Sequence, residues 1–429
     1  MSRILAFAPS FLAAALVAAA PLALAQPAPA PSASETISTS PAVPPPTPPA
    51  PIKPLIAQPV EMAPLAAPDA FTTPARDTGL PPTLWRGTSL QIVQAVLPRL
   101  AERPLSPAAA ALALRVLGTG AQGPDGAGQD FVAARAAALL EQGDPRGAAA
   151  ILARAPGLDR DPALAHVAAE SALLAADDAR ACRIEETLSS GRDDIYWVRL
   201  RAYCQAVAGK AAEAQLSFDL SQSQAKDPIF TRLMTAKLAG GGQPGAASLR
   251  NGLDYALSRG LGLDLSAAKP APAVAAALAA SGPAEPTFDT SAIAADLAPI
   301  ATAIHDRTDI SYADFMGLLN AATPKTRQRT QAALLFDAVL QPSFPPAAAF
   351  LLNGVPPGRT SVALDVALDE ASGAKRMGET ALLALWECAD AGPSGLSVGD
   401  RIRIVRALRR AGLDADARAF ALEGLLALK

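Results

Sequence analysis

The sequence predicts an all-α protein: helical hairpins stacked as an α-solenoid, followed by a second helical lobe. Turn signals recur every 33 residues in the central part of the chain: Gly143-Asp144, Ala176-Asp177, Gly209-Lys210 and Gly242-Gln243. Marks of helix starts keep the same interval: Asp161-Pro162, Asp194-Ile195 and Asp227-Pro228. A period in this range is typical of stacked helical hairpins. No run alternates with period two for long enough to predict a strand.

Each repeat is expected to contain a helix, a tight turn and a second helix. An aspartate before a proline favours a helix start, because the carboxylate accepts hydrogen bonds from the first turn and proline fits the first helical position. Asp144-Pro145 has the same form as the pairs above. Gly143 and Gly209 follow apolar runs with helical spacing, and glycine commonly ends a helix at such places.

The third unit carries its aromatic, glycine, alanine and proline residues in a recognisable order: Trp197-x2-Leu200, Gly209-Lys210, Ala214-x3-Phe218 and Pro228. This pattern resembles a tetratricopeptide repeat over residues 129–261, and the resemblance implies helix-turn-helix units. The unit departs from the family in three ways. Arg201 replaces a small residue, Tyr203 stands one place early and Ala214 one place late. The period is also one residue short of the usual repeat.

Residues 1–25 have the features of a secretory signal. Arg3 precedes an apolar run from Ile4 to Ala20, and Ala23-Leu24-Ala25 forms a cleavage site that predicts processing between Ala25 and Gln26. An uncleaved anchor is the alternative, because the apolar stretch could nearly span a bilayer. No later segment is long and apolar enough to cross a membrane. The mature chain is therefore expected to be periplasmic or secreted.

Residues 26–82 contain 17 of the 40 prolines and few large apolar side chains. Such a segment cannot bury enough apolar surface to offset its ordering entropy, so a disordered linker is predicted. Its main role is expected to be that of a spacer. Docking of Pro41–Pro51 on a polyproline-binding partner is the alternative.

The folded part is predicted to begin near Trp85, with a repeat lobe over residues 83–261. First helices are expected at Thr88–Ala101 and Ser106–Leu117, where serine or threonine precedes an alanine- and leucine-rich run. Proline, alanine and glycine return at residues 262–288, which predicts a hinge or insertion. A second helical lobe is predicted for residues 289–429: Ser291–His305, Ser311–Asn320, Lys325–Leu340, Ser361–Glu370, Glu379–Cys388, Arg401–Ala411 and Ala415–Leu428.

The formal charge of −3 gives no electrostatic case for nucleic-acid binding, which requires a strongly basic face. The local exception is a predicted helix with five arginines: Arg401, Arg403, Arg406, Arg409 and Arg410. Apolar residues share this helix, so a solvated face is expected, with an anion-binding groove as the alternative.

No catalytic, cofactor-binding or metal-binding residues are predicted. Gly395–Gly399 matches the nucleophile-elbow pattern, but helices flank it and both histidines precede it. Gly118–Gly123 and Gly240–Gly245 match a dinucleotide fingerprint, but each follows a helix rather than a strand. Gly373–Gly378 has phosphate-loop spacing without the required lysine. Two histidines without a ligand motif offer no metal site.

The function predicted from these observations is a non-catalytic scaffold or adaptor for protein-protein interaction in the bacterial cell envelope. Its partner would be an envelope protein or peptide that contacts the concave side of the repeats, with four candidate binding residues: Arg199, Tyr203, Arg232 and Lys237. The alternative is an exported enzyme that acts on envelope polymer, similar to the superhelical lytic transglycosylases. The sequence, however, does not supply the aromatic residues that form the sugar-binding groove of those enzymes.

Cys182 and Cys204 are predicted to form a disulfide. Cys182 lies in the second helix of one unit, and Cys204 lies in the first helix of the next. These helices are expected to be antiparallel neighbours, and an exported chain meets oxidising conditions. Two small buried thiols are the alternative. Cys388 is expected to remain a free thiol.

Overall fold

The computed structural model describes residues 70–128, 131–153, 155–279, 286, 288–341, 346–392 and 395–428. The chain divides into two units, and all of these residues belong to the second, Leu65–Lys429. The predicted signal peptide, with Ala25 and Gln26, lies outside the described residues. The predicted linker up to residue 69 also lies outside them.

The described residues form helices without any strand, which confirms the all-α prediction. The helices before residue 261 are α1 (Leu90–Leu100), α2 (Pro107–Gly118), α3 (Phe131–Glu141), α4 (Pro145–Leu152), α5 (Pro162–Leu174), α6 (Asp178–Thr187), α7 (Ile195–Val207), α8 (Ala211–Gln224), α9 (Pro228–Leu238) and α10 (Gly252–Gly260). The later helices are α11 (Pro272–Ala279), α12 (Ala298–Asp306), α13 (Tyr312–Ala321), α14 (Arg327–Leu340), α15 (Val362–Gly373), α16 (Met377–Ala391), α17 (Val398–Arg410) and α18 (Asp414–Ala427). Short 3₁₀ segments are Leu265–Ala267, Thr290–Ala292, Ala295–Leu297 and Pro346–Gly354. Across this part of the chain, no helix is long and apolar enough to span a bilayer.

Aspartates cap three helices whose starts the sequence predicts. The side chains of Asp144, Asp161 and Asp227 accept hydrogen bonds of 2.8 to 3.2 Å from backbone N–H groups of the first turn. A proline follows each aspartate, so the φ angle of the first helical residue is already set. Gly143 and Gly209 follow α3 and α7 with φ angles of 96° and 75°, which glycine adopts without strain.

Helices α5 to α10 share a hydrophobic core. Trp197, Tyr203 and Phe230 are among its largest buried side chains. Helix α5 packs against α6, and α7 against α8. Helix α10 packs against both α9 and α5. The chain's own α10 therefore covers part of the surface that α5 and α9 would otherwise expose.

Another core joins helices from the two ends of the described chain. Helix α1 packs against α16, and α2 packs against α16 and α18. The carboxylate of Glu379 accepts a 2.6 Å hydrogen bond from the N–H of Ser89, and that of Glu423 accepts one of 2.8 Å from the N–H of Ala108. The apolar faces of α1 and α2 are thus buried partly by α3 and partly by helices of the predicted second lobe.

Residues just after position 69 are part of the folded unit, although their composition predicts a linker. Phe71 is fully buried, and its ring centroid lies 4.7 Å from that of Trp85. Arg135 of α3 is fully buried as well. Its guanidinium donates hydrogen bonds of 2.8 to 3.0 Å to the carbonyl oxygens of Ala70, Leu117 and Thr119. These contacts fix the chain well before Trp85.

The predicted hinge at residues 262–288 contains helix α11. The prolines there predict a break between helices, but Pro272 occupies the first helical position, where its missing N–H costs nothing. Val274 is fully buried, and α11 packs against α3, α4 and α5. Conversely, α12 starts seven residues later than the predicted Ser291, because Pro299 is tolerated only in a first turn.

The structure places Cys182 of α6 and Cys204 of α7 at disulfide distance, with sulfur atoms 1.99 Å and Cα atoms 5.5 Å apart. Helices α6 and α7 pack together, as the expected antiparallel neighbours would. The pair agrees with the predicted bridge. Cys388 is a free thiol, and burial raises its pKa well above the ordinary range. It is therefore expected to be a poor nucleophile.

Loss of the bridge is expected to lower the free energy of unfolding by about 3 kcal/mol, the chain-entropy estimate for a loop of this length. Urea unfolding of a Cys182→Ser/Cys204→Ser variant beside the oxidised chain measures the difference. A Cys388→Ser variant serves as the thiol control. Thiol titration of the denatured, unreduced chain should count one free thiol. Three free thiols would contradict the bridge.

Candidate functional site

A cavity of about 520 Å³ opens between helices α2, α12 and α18. The segment of residues 76–78 and the side chain of Phe288 complete its wall. Its volume falls within the roughly 300 to 1,000 Å³ that ligand-binding cavities span. The cavity is therefore large enough to take a small molecule or several side chains of a partner.

The interior wall of the cavity is apolar. Leu114 of α2, Ile304 of α12 and Leu422 of α18 line it and are each less than 10% exposed. Phe288 and Ala419 add half-buried apolar surface. A ligand would therefore bury apolar groups here.

Two arginines at the cavity are already paired. Arg76 lies 2.9 Å from a carboxylate oxygen of Asp144 and donates a 3.1 Å hydrogen bond to the carbonyl oxygen of Leu114. Arg115 lies 2.5 Å from a carboxylate oxygen of Asp416. These contacts fix both guanidinium groups in the wall. They are expected to shape the cavity and to contribute less to binding.

Two further arginines at the same cavity, Arg307 and Arg418, have no carboxylate within ion-pair distance among the described residues. Burial lowers the pKa of Arg418, and the positive charge of Arg307 lowers it further, whereas Asp414 acts in the opposite direction. The positive charge of Arg307, which is exposed, thus disfavours the charged form of the half-buried Arg418. A bound anion would offset this effect, since arginine binds carboxylates and phosphates well.

Arg307 also has an unusual backbone. It caps the C-terminal end of α12 with φ 60° and ψ 39°, a left-handed conformation that glycine occupies at most such positions. A side chain here costs conformational energy. His305, two residues before the cap, contacts Asp306 at 2.8 Å. The carboxylates in the described cavity lining are those of Asp77 and Asp416. Arginines outnumber them there.

Of the four residues predicted to bind a partner, Arg199 and Tyr203 are engaged within the chain. Arg199 lies 3.4 Å from a carboxylate oxygen of Asp227 and stacks over the ring of Phe230. Tyr203 is 2% exposed, and its hydroxyl lies near Asp178, which pairs with Arg259. Burial and Asp178 raise the pKa of this hydroxyl well above its usual range. Neither side chain is freely available on the surface.

Arg232 and Lys237, the other two, are half-buried residues of α9. Arg232 lies close to Gly245, and the amino group of Lys237 lies near Gly260 at the end of α10. The structure therefore brings all four residues into the region of α7, α9 and α10. Because α10 covers part of that surface, their role in partner binding stays a prediction.

The arginine-rich helix α17 is largely paired with carboxylates. Arg401 is buried and lies 2.6 Å from an oxygen of Glu423. Arg403 contacts both Asp365 and Asp400, and Arg410 lies 3.4 Å from Asp369. These partners come from α15, α17 and α18. Arg401, Arg403 and Arg410 thus join α17 to α18 and α15, whereas Arg406 and Arg410 are exposed. The solvated face and the anion-binding groove both stay predictions.

The glycine-rich matches have structural explanations. Ser397, the serine of the nucleophile-elbow match, caps α17, because its hydroxyl accepts a 3.2 Å hydrogen bond from the N–H of Asp400. Gly240, Gly241 and Gly242 follow the end of α9 with positive φ angles. These segments connect helices, as predicted from the sequence.

Comparison of the chain with protein-family models, with curated proteins and with solved structures found no match. The resemblance of residues 129–261 to tetratricopeptide repeats therefore stays a prediction from the sequence.

Proposed function

We propose that the protein is an exported, non-catalytic adaptor of the bacterial cell envelope, and that it binds an acidic segment of a partner protein in the cavity between α2, α12 and α18. The observation that carries the proposal is that Arg307 and Arg418, beside apolar side chains of the cavity, have no ion-pair partner among the described residues. Glutamate or aspartate side chains would pair with the guanidinium groups. Neighbouring apolar side chains would pack against Leu114, Ile304 and Leu422.

The spacing of the helices supports the repeat architecture in this proposal. Helices α5, α7 and α9 begin at Pro162, Ile195 and Pro228, at intervals of 33 residues. Helices α4, α6 and α8 begin at 145, 178 and 211, with the same interval. Regular hairpins of this kind commonly serve as interaction scaffolds. Export is inferred from the signal-like residues 1–25 and agrees with the cysteine pair at disulfide distance.

The alternative, an enzyme that cleaves envelope polymer, needs an accessible acid. Glu387 is a buried acid with a raised proton affinity, since burial and the nearby Asp365 raise its pKa to about 8. Its side chain is nevertheless only 2% exposed. A sugar chain could not reach it without opening the core between α15, α16 and α17. This acid therefore gives the enzyme alternative no support.

The test is the binding of a fluorescein-labelled probe peptide of alternating glutamate and leucine, followed by fluorescence anisotropy. Arg307→Gly is an informative variant, because it removes the guanidinium and also relieves the left-handed strain, so the fold should not suffer. Combined with Arg418→Gln, it should weaken binding by about tenfold or more. Exposed Arg86 offers a matched control in Arg86→Gln, which should bind like the parent chain.

Binding should also weaken as salt is raised, since charge pairing is screened. A peptide with glutamine in place of glutamate should bind much less. Equal binding by the parent chain and the double variant would refute the cavity as the site. Turnover of envelope polymer by the purified mature chain would refute the non-catalytic adaptor itself.

A further inference from the structure

A cluster of three carboxylates lies away from the cavity, where α15, α16 and α17 pack together. Asp365 is in the first turn of α15, Glu387 is in α16 and Asp400 is in the first turn of α17. One oxygen of each side chain lies within 4.8 Å of one oxygen of each of the others. Oxygens bound to one Ca²⁺ at its usual distances lie up to about 5 Å apart. The three oxygens thus fit around one such ion.

Two oxygens of this cluster are buried without a hydrogen-bond partner among the described residues. They are Oε1 of Glu387 and Oδ1 of Asp365. Glu387 is 2% exposed, and its other oxygen, Oε2, accepts a 3.2 Å hydrogen bond from the hydroxyl of Thr360. A buried carboxylate oxygen with no donor is costly, so it indicates a missing cation or proton.

The charges of the cluster leave room for a divalent cation. Among the residues that the structure describes, Arg403 is the guanidinium in contact with the group, and it pairs with Asp365 and Asp400. With all three carboxylates ionised, two negative charges remain unbalanced. Asp400 also accepts hydrogen bonds from the N–H groups of Arg359 and Thr360, which hold its carboxylate in place.

We propose that Asp365, Glu387 and Asp400 form a Ca²⁺ site that links α15, α16 and α17. Oxygen-only ligands suit a hard cation and disfavour zinc or copper, which prefer nitrogen or sulfur. Ca²⁺ suits the site better than Mg²⁺, because Mg²⁺ requires shorter contacts and near-ideal octahedral geometry. The side chain of Asp365 is 19% exposed, so water can reach the ion and complete its coordination.

The test uses the full mature chain after chelator treatment, titrated with CaCl₂ by isothermal calorimetry and by thermal unfolding at pH 7.5. One Ca²⁺ per chain is expected, with a dissociation constant on the order of 0.1 to 1 mM, and a rise in melting temperature. Glu387→Gln should weaken binding by more than about tenfold, because it removes a charged ligand. Asp369→Asn changes an exposed carboxylate of α15, the helix that carries Asp365, and should leave binding unchanged.

Asp365→Asn gives a second reading if Glu387→Gln does not fold. It should likewise weaken Ca²⁺ binding and reduce the rise in melting temperature on addition of Ca²⁺. A flat calorimetric titration up to 5 mM CaCl₂ would overturn the proposal, as would equal binding by the parent chain and Asp365→Asn. Tighter binding of MgCl₂ than of CaCl₂ would overturn the choice of ion.

Discussion

Replacement of Arg135 by alanine is expected to lower the free energy of unfolding by roughly 3 to 5 kcal/mol. The guanidinium is fully buried and donates to three carbonyl oxygens, of Ala70, Leu117 and Thr119. Without it, these oxygens would be buried without donors. The guanidinium also lies over the ring of Phe71, so the substitution would loosen the N-terminal edge of the unit.

Two further variants separate the causes of this loss. Arg135→Met keeps the apolar stem and removes the donors, so it should still lose most of the stability. Arg135→Lys keeps a charge but cannot reach three acceptors in one plane, so an intermediate loss is expected. The exposed Arg86→Ala is the matched control. Urea unfolding measures all four variants, and a change below about 1 kcal/mol in Arg135→Met would contradict the role of the hydrogen bonds.

Replacement of Glu387 by glutamine is expected to stabilise the metal-free chain at pH 8 or above by roughly 4 kcal/mol. Burial raises the pKa of Glu387 to about 8, and the carboxylate of Asp365 contributes in the same direction. Thr360 and Arg403 oppose the shift by favouring the ionised form. Glutamine retains an acceptor for the Thr360 hydroxyl and removes the cost of a buried charge.

The sign of the pH dependence follows from the raised pKa. At a pH below the usual value for glutamate, near 4.5, both the folded and the unfolded chain hold the proton. As pH rises further, the unfolded chain releases the proton while the folded chain keeps it, so stability falls. The loss is complete above about pH 8, where the folded chain releases the proton too.

Thermal unfolding of Glu387→Gln and the parent chain between pH 5 and pH 9, in the presence of chelator, measures the effect. The two curves should diverge as pH rises, with the variant more stable. The exposed Glu186→Gln should follow the parent chain. A constant difference between Glu387→Gln and the parent over the whole range would contradict the raised pKa.

Local signals predicted a large part of the fold. Asp-Pro pairs fixed the starts of α4, α5 and α9, because capping and proline geometry act within one turn. Helix α11 was not predicted, because its proline- and alanine-rich composition is also typical of linkers. The burial of Phe71 also escaped, because it depends on Trp85 and Arg135, which are distant in sequence.

Neither the cavity nor the carboxylate cluster could be predicted from local sequence patterns, and the physical reason is the same for both. Arg307 and Arg418 meet at one cavity although over a hundred residues separate them. Asp365, Glu387 and Asp400 come from three helices and have no motif spacing. The one available signal was the arginine-rich helix α17, whose Arg403 needed carboxylate partners. Sequence spacing cannot say which acidic residues supply them.

The pairing of the first helices with the last ones sets an order on folding. Ser89 meets Glu379, and Ala108 meets Glu423, across separations of 290 and 315 residues. A ribosome that adds about 5 to 20 residues per second needs roughly 15 to 60 s to cover such a distance. Helix α3, which packs against both α1 and α2, follows soon in the chain, but the apolar surfaces that α16 and α18 cover lack those partners throughout that time. Until α16 and α18 emerge, these exposed apolar surfaces must be kept from aggregating, either by a chaperone or by the solubility of the nascent chain itself.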